Sequence, residues 1–213
     1  EDFLEECKQL AASELEASIG DLEYHQGDFQ VRGTRVGIGI FDLCSRQSGN
    51  SISVKRKKEL TGRSWPNGCH VAEVEIDAET GEVRLDRYVS VDDVGNTVNP
   101  MIVHGQVQGG IASGLGQAVL ERTEYDASGQ LLSGSYMDYA LPRADDMPSL
   151  SGSLFEKAPC LTNPLGAKGT GEIGAVAGPP AIVHAVIDAL AEKGITQVDM
   201  PLQPQKIWEC LNR

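Results

Sequence analysis

Hydrophobic positions follow two different periods along this chain, and the switches between them mark its elements. Phe3, Leu4, Cys7, Leu10, Ala11 and Leu15 recur at three- and four-residue spacing, which predicts one amphipathic helix over 1–18 ending near Gly20. Residues 21–33 read as a short hairpin turning through Tyr24-His25-Gln26-Gly27-Asp28-Phe29. From Thr34 to Asn67 the pattern is poor and punctuated by Gly37, Gly39, Gly49 and Gly62, so an irregular segment is expected, with a short helix around Phe41–Arg46. Period two then appears twice. His70-Val71-Ala72-Glu73-Val74-Glu75-Ile76-Asp77 and Glu82-Val83-Arg84-Leu85-Asp86-Arg87-Tyr88-Val89 alternate around the turn residues Ala78-Glu79-Thr80-Gly81. This predicts a β-hairpin with one wet face.

Beyond Pro100, a residue suited to the first turn of a helix, Val103, Val107, Ile111, Leu115 and Val119 form one stripe over Met101–Arg122. The same segment holds Gly105, Gly109, Gly110, Gly114 and Gly116. Each interior glycine costs a helix roughly 0.5–1 kcal/mol relative to alanine, so something must offset five of them. A second hairpin is predicted over Thr123–Tyr139, turning at Asp126-Ala127-Ser128-Gly129. Residues 140–170, with Pro142, Pro148, Pro159 and Pro164, read as an extended loop. A strong helix is predicted from Pro179-Pro180 to Lys193 with Gly194 as its stop, and a short one over Pro204–Leu211. There is no internal repeat. Hairpins and separated helices in this order predict an α+β fold, β-hairpins packed with a few helices, and the whole of 1–213 reads as one domain whose first 65 residues carry the weaker signals.

Composition narrows the class. Thirty-one acidic against 18 basic residues give a net charge of −13, which argues against a nucleic-acid partner. The one basic run, Lys55-Arg56-Lys57-Lys58, reads as a solvated loop. No apolar stretch approaches the ~20 residues that span a membrane. The acidic start Glu1-Asp2-Phe3-Leu4-Glu5-Glu6 is no secretory signal, and its opening inside a helix without Met reads as a fragment or processed chain. Cys7, Cys44, Cys69, Cys160 and Cys210 are scattered and form no Cys-x-x-Cys, so neither a zinc ribbon nor an iron–sulfur cluster has a ligand set here. Dispersed thiols fit a reducing cytoplasm. Redox chemistry would need a cofactor held by other means.

Two places break the local rules, as functional sites often do. In the glycine-studded helix, Gly105 and Gly109 lie four apart, as do Gly110 and Gly114, and bare two strips of surface. Such strips admit a neighbouring backbone or a flat ligand. Gln106, Gln108 and Ser113 add groups able to pair with the edge of a heterocycle. Tight helix–helix packing with solvent-facing glutamines explains the same pattern equally well, and His104 reads as structural. The second place is Asn163-Pro164-Leu165-Gly166-Ala167-Lys168-Gly169-Thr170-Gly171-Glu172-Ile173-Gly174. Its glycines and a following helix suit an anion-binding loop, although the P-loop spacing is absent. Glu172 is a lone carboxylate among Gly, Ile, Ala and Val. A carboxylate in apolar surroundings makes a candidate general base; a loop glutamate that faces water or pairs with Lys168 is the plainer alternative.

At these residues the sequence resembles the molybdenum-binding subunit of the xanthine oxidase family, which includes aldehyde oxidases and the carbon monoxide dehydrogenase large chain. The matching runs are Pro66-Asn67-Gly68-Cys69-His70-Val71-Ala72, Val91-Asp92-Asp93-Val94-Gly95, Val98-Asn99-Pro100, Gly105-Gln106-Val107-Gln108-Gly109-Gly110, Met137-Asp138-Tyr139, Pro142-Arg143-Ala144-Asp145-Asp146 and Asn163 through Gly174. They lie in one order over about residues 66–211, with a weaker likeness in the N-terminal third. The resemblance implies the C-terminal portion of a molybdopterin-binding domain. It places the family's active-site glutamate at Glu172, where it would deprotonate a water-derived ligand of molybdenum that attacks the substrate carbon. It implies contacts from Gln106, Gly109, Gly110, Ser113, Lys168 and Gly169 to the molybdopterin cofactor, in its cytosine dinucleotide form in bacteria, with the metal held by the pterin dithiolene and not by this chain. Ser113 departs from the family, whose members carry Gln there, which shortens one contact.

By the same resemblance, iron–sulfur clusters and FAD belong to partner subunits, and an upstream portion of the molybdenum subunit, as part of the same gene or as a split subunit, completes the site. The implied activity is oxidation or hydroxylation of an aldehyde, an N-heterocycle or a similar small molecule, with the isolated chain inactive. Two rivals stand beside it: a catalytically silent assembly domain, and a nucleotide-binding transferase using Gly166–Gly174, which the missing phosphate signature disfavours.

Overall fold

In the computed structural model, residues 2–57, 59 and 62–212 are described, and they fall into two compact units, Glu1–Glu59 and Leu60–Arg213. In the first unit, helix α1 (Asp2–Glu14) buries Cys7, Ala11 and Ala12. A three-stranded antiparallel sheet follows, β1 (Leu22–His25), β2 (Asp28–Val31) and β3 (Gly37–Gly39). The β1–β2 turn is two residues long, Gln26 and Gly27, and both have positive φ, the geometry that matches strand twist in a tight hairpin. The third strand lies in the segment expected to be irregular, and α2 (Ile40–Arg46) matches the short helix expected there around Phe41–Arg46. β3 is invisible to pattern because two of its three residues are glycine. Lys55, Arg56 and Lys57 are exposed outside any helix or strand, as expected of a solvated loop, and Lys58 lies outside the described residues.

The second unit is built on a longer hairpin than the pattern predicts, β4 (Asn67–Ile76) paired antiparallel with β5 (Val83–Asp93). The alternation expected along β5 breaks at Asp86, where the register shifts between Glu73 and Val74 of its partner. This bulge reverses the parity, so Tyr88, Ser90 and Asp92 face inward while Val89 and Val91 face out. A third strand, β6 (Leu150–Leu154), adds parallel to β5, giving the order β4-β5-β6. That strand lies inside the predicted extended loop; its centre, Ser151-Gly152-Ser153, is exposed and carries no apolar signal. The second predicted hairpin shrinks to a turn. Only Tyr125 and Leu131 bridge there, and the Asp126 carboxylate accepts the Ser128 and Gln130 amides.

Helix α3 (Pro100–Leu115) starts on Asn99, whose side chain accepts the Ile102 amide at 3.2 Å, and buries Val103, Val107, Ile111 and Leu115. It runs into one π-helical turn, Gly116–Leu120. Helix α4 (Ile173–Ala189) begins six residues before the predicted start and carries Pro179 and Pro180 in its interior. Two missing amides weaken its ladder; packing on α3 holds the helix together across them. Gly110 lies against Gly174 and Gly114 against Gly178, so the two helices run parallel at backbone contact. Helix α5 (Pro204–Leu211) closes the unit, burying Ile207 and Cys210. One core joins these elements, with Tyr88, Ile111, Ile182, Leu190, Leu202 and Ile207 fully buried. No helix among the described residues is long and apolar enough to cross a membrane.

Candidate functional site

Glu172 occupies the N-cap position of α4, is exposed, and its carboxylate takes no hydrogen bond or ion pair among the described residues. The apolar enclosure expected from its neighbours in sequence is therefore not supplied by the described residues. Ile173 turns the other way and packs with Val94, Val103 and Leu154. Gln106 of α3 reaches the residue before Glu172: a Cβ placed on Gly171 would lie 3.7 Å from the Gln106 Nε2. Gln106, Gly109 and Ser113 are all exposed on α3.

The two glycine strips of α3 do different things. Gly110 and Gly114 are filled by α4, and a Cβ on Gly110 would fall 2.8 Å from the Ala175 nitrogen. Gly105 and Gly109 have nothing within 4 Å of a Cβ. So one strip serves helix packing and the other is open surface; the two sequence readings each describe one strip. Gly169 is likewise open, while the Thr170 hydroxyl oxygen beside it is buried with no partner.

Lys168 does not approach Glu172 as an ion-pair partner. Its Nζ donates to Asp93 Oδ2 at 2.6 Å, with the two side chains 10% and 12% exposed. Burial opposes ionisation of Asp93, but the Lys168 ammonium and the Gly95 amide, 2.9 Å from Oδ1, hold its carboxyl below the usual range. The loop before α4 is stapled to the end of β5 by backbone bonds as well. The Lys168 amide donates to Val94 O at 2.7 Å and the Asn96 amide to Gly166 O at 2.9 Å. Gly95 has φ +65, and a Cβ there would collide with the Gly166 carbonyl, so glycine is required on both counts.

Beneath this staple lies a polar network the sequence did not disclose. His70 Nδ1 meets the Tyr88 hydroxyl at 2.9 Å and His70 Nε2 meets Asp92 Oδ1 at 2.9 Å, with the His70 and Asp92 side chains 2% and 1% exposed. Burial, and then the Asp92 carboxylate, push the Tyr88 phenol up from its ordinary value. The available signal was the pair Asp92-Asp93 at the end of β5, which breaks the alternation of apolar and polar residues. Among the described residues no three His, Cys, Asp or Glu stand together as a metal site. A cavity of about 510 Å³ lies at the C-terminal end of α3, lined by Arg84, Leu115, Val119, Asp145 and others, and includes none of the candidate residues.

Residues 1–148 match the molybdopterin cofactor-binding domain. The chain belongs to that family. It is 32% identical over 96% of its length to the gamma subunit of the 6-hydroxypseudooxynicotine dehydrogenase complex of Paenarthrobacter nicotinovorans, covering 27% of that protein. It is also 32% identical over 96% of its length to the carbon monoxide dehydrogenase large chain of Hydrogenophaga pseudoflava, covering 26% of that protein. The crystal structure of quinoline 2-oxidoreductase from Pseudomonas putida 86 superposes with a TM-score of 0.80 at 34% identity, over 98% of this chain and 28% of that one. This molybdopterin cofactor-binding domain chain thus spans about a quarter of the length of the curated relatives it matches. The α+β architecture expected from the sequence agrees with the solved structures of the family.

Proposed function

We propose that this chain forms one wall of the active site of a molybdenum-dependent oxidoreductase, with Glu172 as the general base. The observation that carries the reading is the exposed Glu172 carboxylate at the head of α4, unpartnered among the described residues and next in sequence to Gly171, which faces Gln106 of α3, the helix whose Gly105 and Gly109 are open. The residues fit a planar, polar cofactor. Gly105 and Gly109 leave room for a ring at the helix backbone, Gln106 and Ser113 offer amide and hydroxyl groups, and the buried Thr170 oxygen lacks a protein partner. In this reading Gln106, Gly109, Ser113 and Gly169 hold molybdopterin, in its cytosine dinucleotide form, while Gly110 sets how closely α3 approaches α4. When bound, the cofactor supplies the redox centre that accepts the two electrons of substrate oxidation. Glu172 takes up the proton released as a water oxygen is added to the substrate carbon.

The rest of the molybdenum subunit supplies the opposite wall, and iron–sulfur and FAD subunits carry the electrons away. The substrate is an aldehyde, an N-heterocycle or a similar small molecule. Two relatives named for different substrates, 6-hydroxypseudooxynicotine and carbon monoxide, match equally well, which supports a substrate choice made outside this portion. The test is Glu172→Gln in the complete enzyme, where general-base loss lowers turnover about 10²–10⁴-fold while molybdenum content and folding hold. Activity within a few-fold of wild type at full molybdenum loading would overturn the reading.

A further inference from the structure

The residues that carry Glu172 pose a mechanical problem. A base must be held in place, yet Glu172 is preceded by Gly169-Thr170-Gly171, and glycine backbone is the least constrained of any. Two anchors flank this short tether. On the C-terminal side Ile173 is buried against Val94, Val103 and Leu154. On the N-terminal side the last side chain held by an ion pair is Lys168, whose ammonium is paired with Asp93 in a nearly closed site. Asp93 is itself fixed, since its other oxygen accepts the Gly95 amide. Three residues thus separate the Lys168 anchor from Glu172.

We propose that Lys168, held by Asp93, is a positioning residue for Glu172, acting through the Gly169–Gly171 tether and touching neither substrate nor cofactor. This rests on the reading of Glu172 as the base. The ion pair crosses from the end of β5 to the loop before α4, a separation of 75 residues in sequence, and so ties the base to the sheet. Coulomb attraction at 2.6 Å in a site shielded from water is screened far less than in an exposed pair. The pair also explains why the loop needs a cation and not simply any polar residue: Asp93 is a largely buried carboxylate that would otherwise lack a counter-charge.

The experiment uses the complete, molybdenum-loaded enzyme with Lys168→Met, Asp93→Asn, the double variant, Lys168→Arg and Glu172→Gln in parallel. Turnover, KM, molybdenum content and hydrogen exchange at the Asn96 and Lys168 amides are measured. The expected result for Lys168→Met is a tenfold or greater fall in kcat, KM within about threefold, unchanged molybdenum content and faster exchange at both amides. Asp93→Asn and the double variant should fall to the same level, because the two side chains act as one unit, and Lys168→Arg should recover most of the rate. Should Lys168→Met fail to fold, Asp93→Asn, which removes the charge at nearly unchanged size, carries the same comparison. Normal kcat in Lys168→Met beside an inactive Glu172→Gln would overturn the positioning role and leave the base intact. Unchanged amide exchange in Lys168→Met would overturn it too, whatever the rate. An active Glu172→Gln would remove the base, and the positioning role with it.

Discussion

Gly110 of α3 and Gly174 of α4 touch backbone to backbone, with 2.8 Å between the Gly174 Cα and the place a Gly110 Cβ would occupy. No side chain can be added on either side without parting the helices. This contact, repeated at Gly114 and Gly178, supplies the offset for the glycines in α3 that propensity alone penalises.

It also gives a sign reversal between neighbours. Gly109→Ala meets nothing within 4 Å and should stabilise the chain by about 0.5–1 kcal/mol, the helix-interior preference for alanine. Gly110→Ala must push against the Ala175 nitrogen and Gly174, and should lower the melting temperature. Paired thermal melts decide it; equal shifts of the same sign would contradict the packing described.

The Asp93–Lys168 pair sets a pH dependence. Asp93 has its carboxyl held below the usual value in the fold, so its contribution is present above the unfolded value of about 3.9 and disappears as pH falls through the lower folded value. Asp93→Asn should therefore melt below wild type at pH 7, with the gap closing as the pH drops below about 4. A gap that stays constant into the acid range would remove the ion pair as its cause.

The buried His70 network makes a separate claim. Tyr88→Phe deletes the partner 2.9 Å from His70 Nδ1 and leaves a ring nitrogen unsatisfied in a site 2% exposed. The expected loss is about 1–3 kcal/mol, measured by denaturant unfolding. A loss well under 1 kcal/mol would mean that the hydrogen bond contributes little net stability.

The proposed site has one wall on this chain. Made alone, the chain should bind less than stoichiometric molybdenum, since contacts from a single wall do not offset the freedom a ligand loses on binding. Elemental analysis finding about one molybdenum per chain would show that these residues suffice.

What the sequence disclosed followed the strength of its periodicity. The β4–β5 hairpin and the α3 stripe were legible because each buries one face, and Pro100 marked a start through its own backbone chemistry; Gly194, expected as the stop of α4, instead caps the short 3₁₀ turn Ala191–Lys193, α4 itself ending at Ala189. Helix α4 was placed six residues too late because Pro179 and Pro180 read as a beginning, when contact with α3 carries the helix through them. β6 escaped because Ser151, Gly152 and Ser153 have no apolar member and its pairing comes wholly from β5. At the candidate site, the glycine run and the isolated Glu172 stood out by breaking local rules. The partner of Lys168 did not, because nothing in the spacing of Asp93 and Lys168 announces that a sheet end and a loop will meet.

The parallel seating of β6 on β5 bears on how the chain is made. During synthesis β5 is complete long before Leu150–Leu154 leaves the ribosome, and until then its outer row of amides and carbonyls has no mate. Val71, Val89 and Val91 are exposed on the same hairpin, so the nascent intermediate offers both a free strand edge and an adhesive face. A ribosome stalled between Asp93 and Leu150 would thus release a species prone to pairing with strands of other chains, and the strand hidden most completely from sequence inspection is the one that closes that edge.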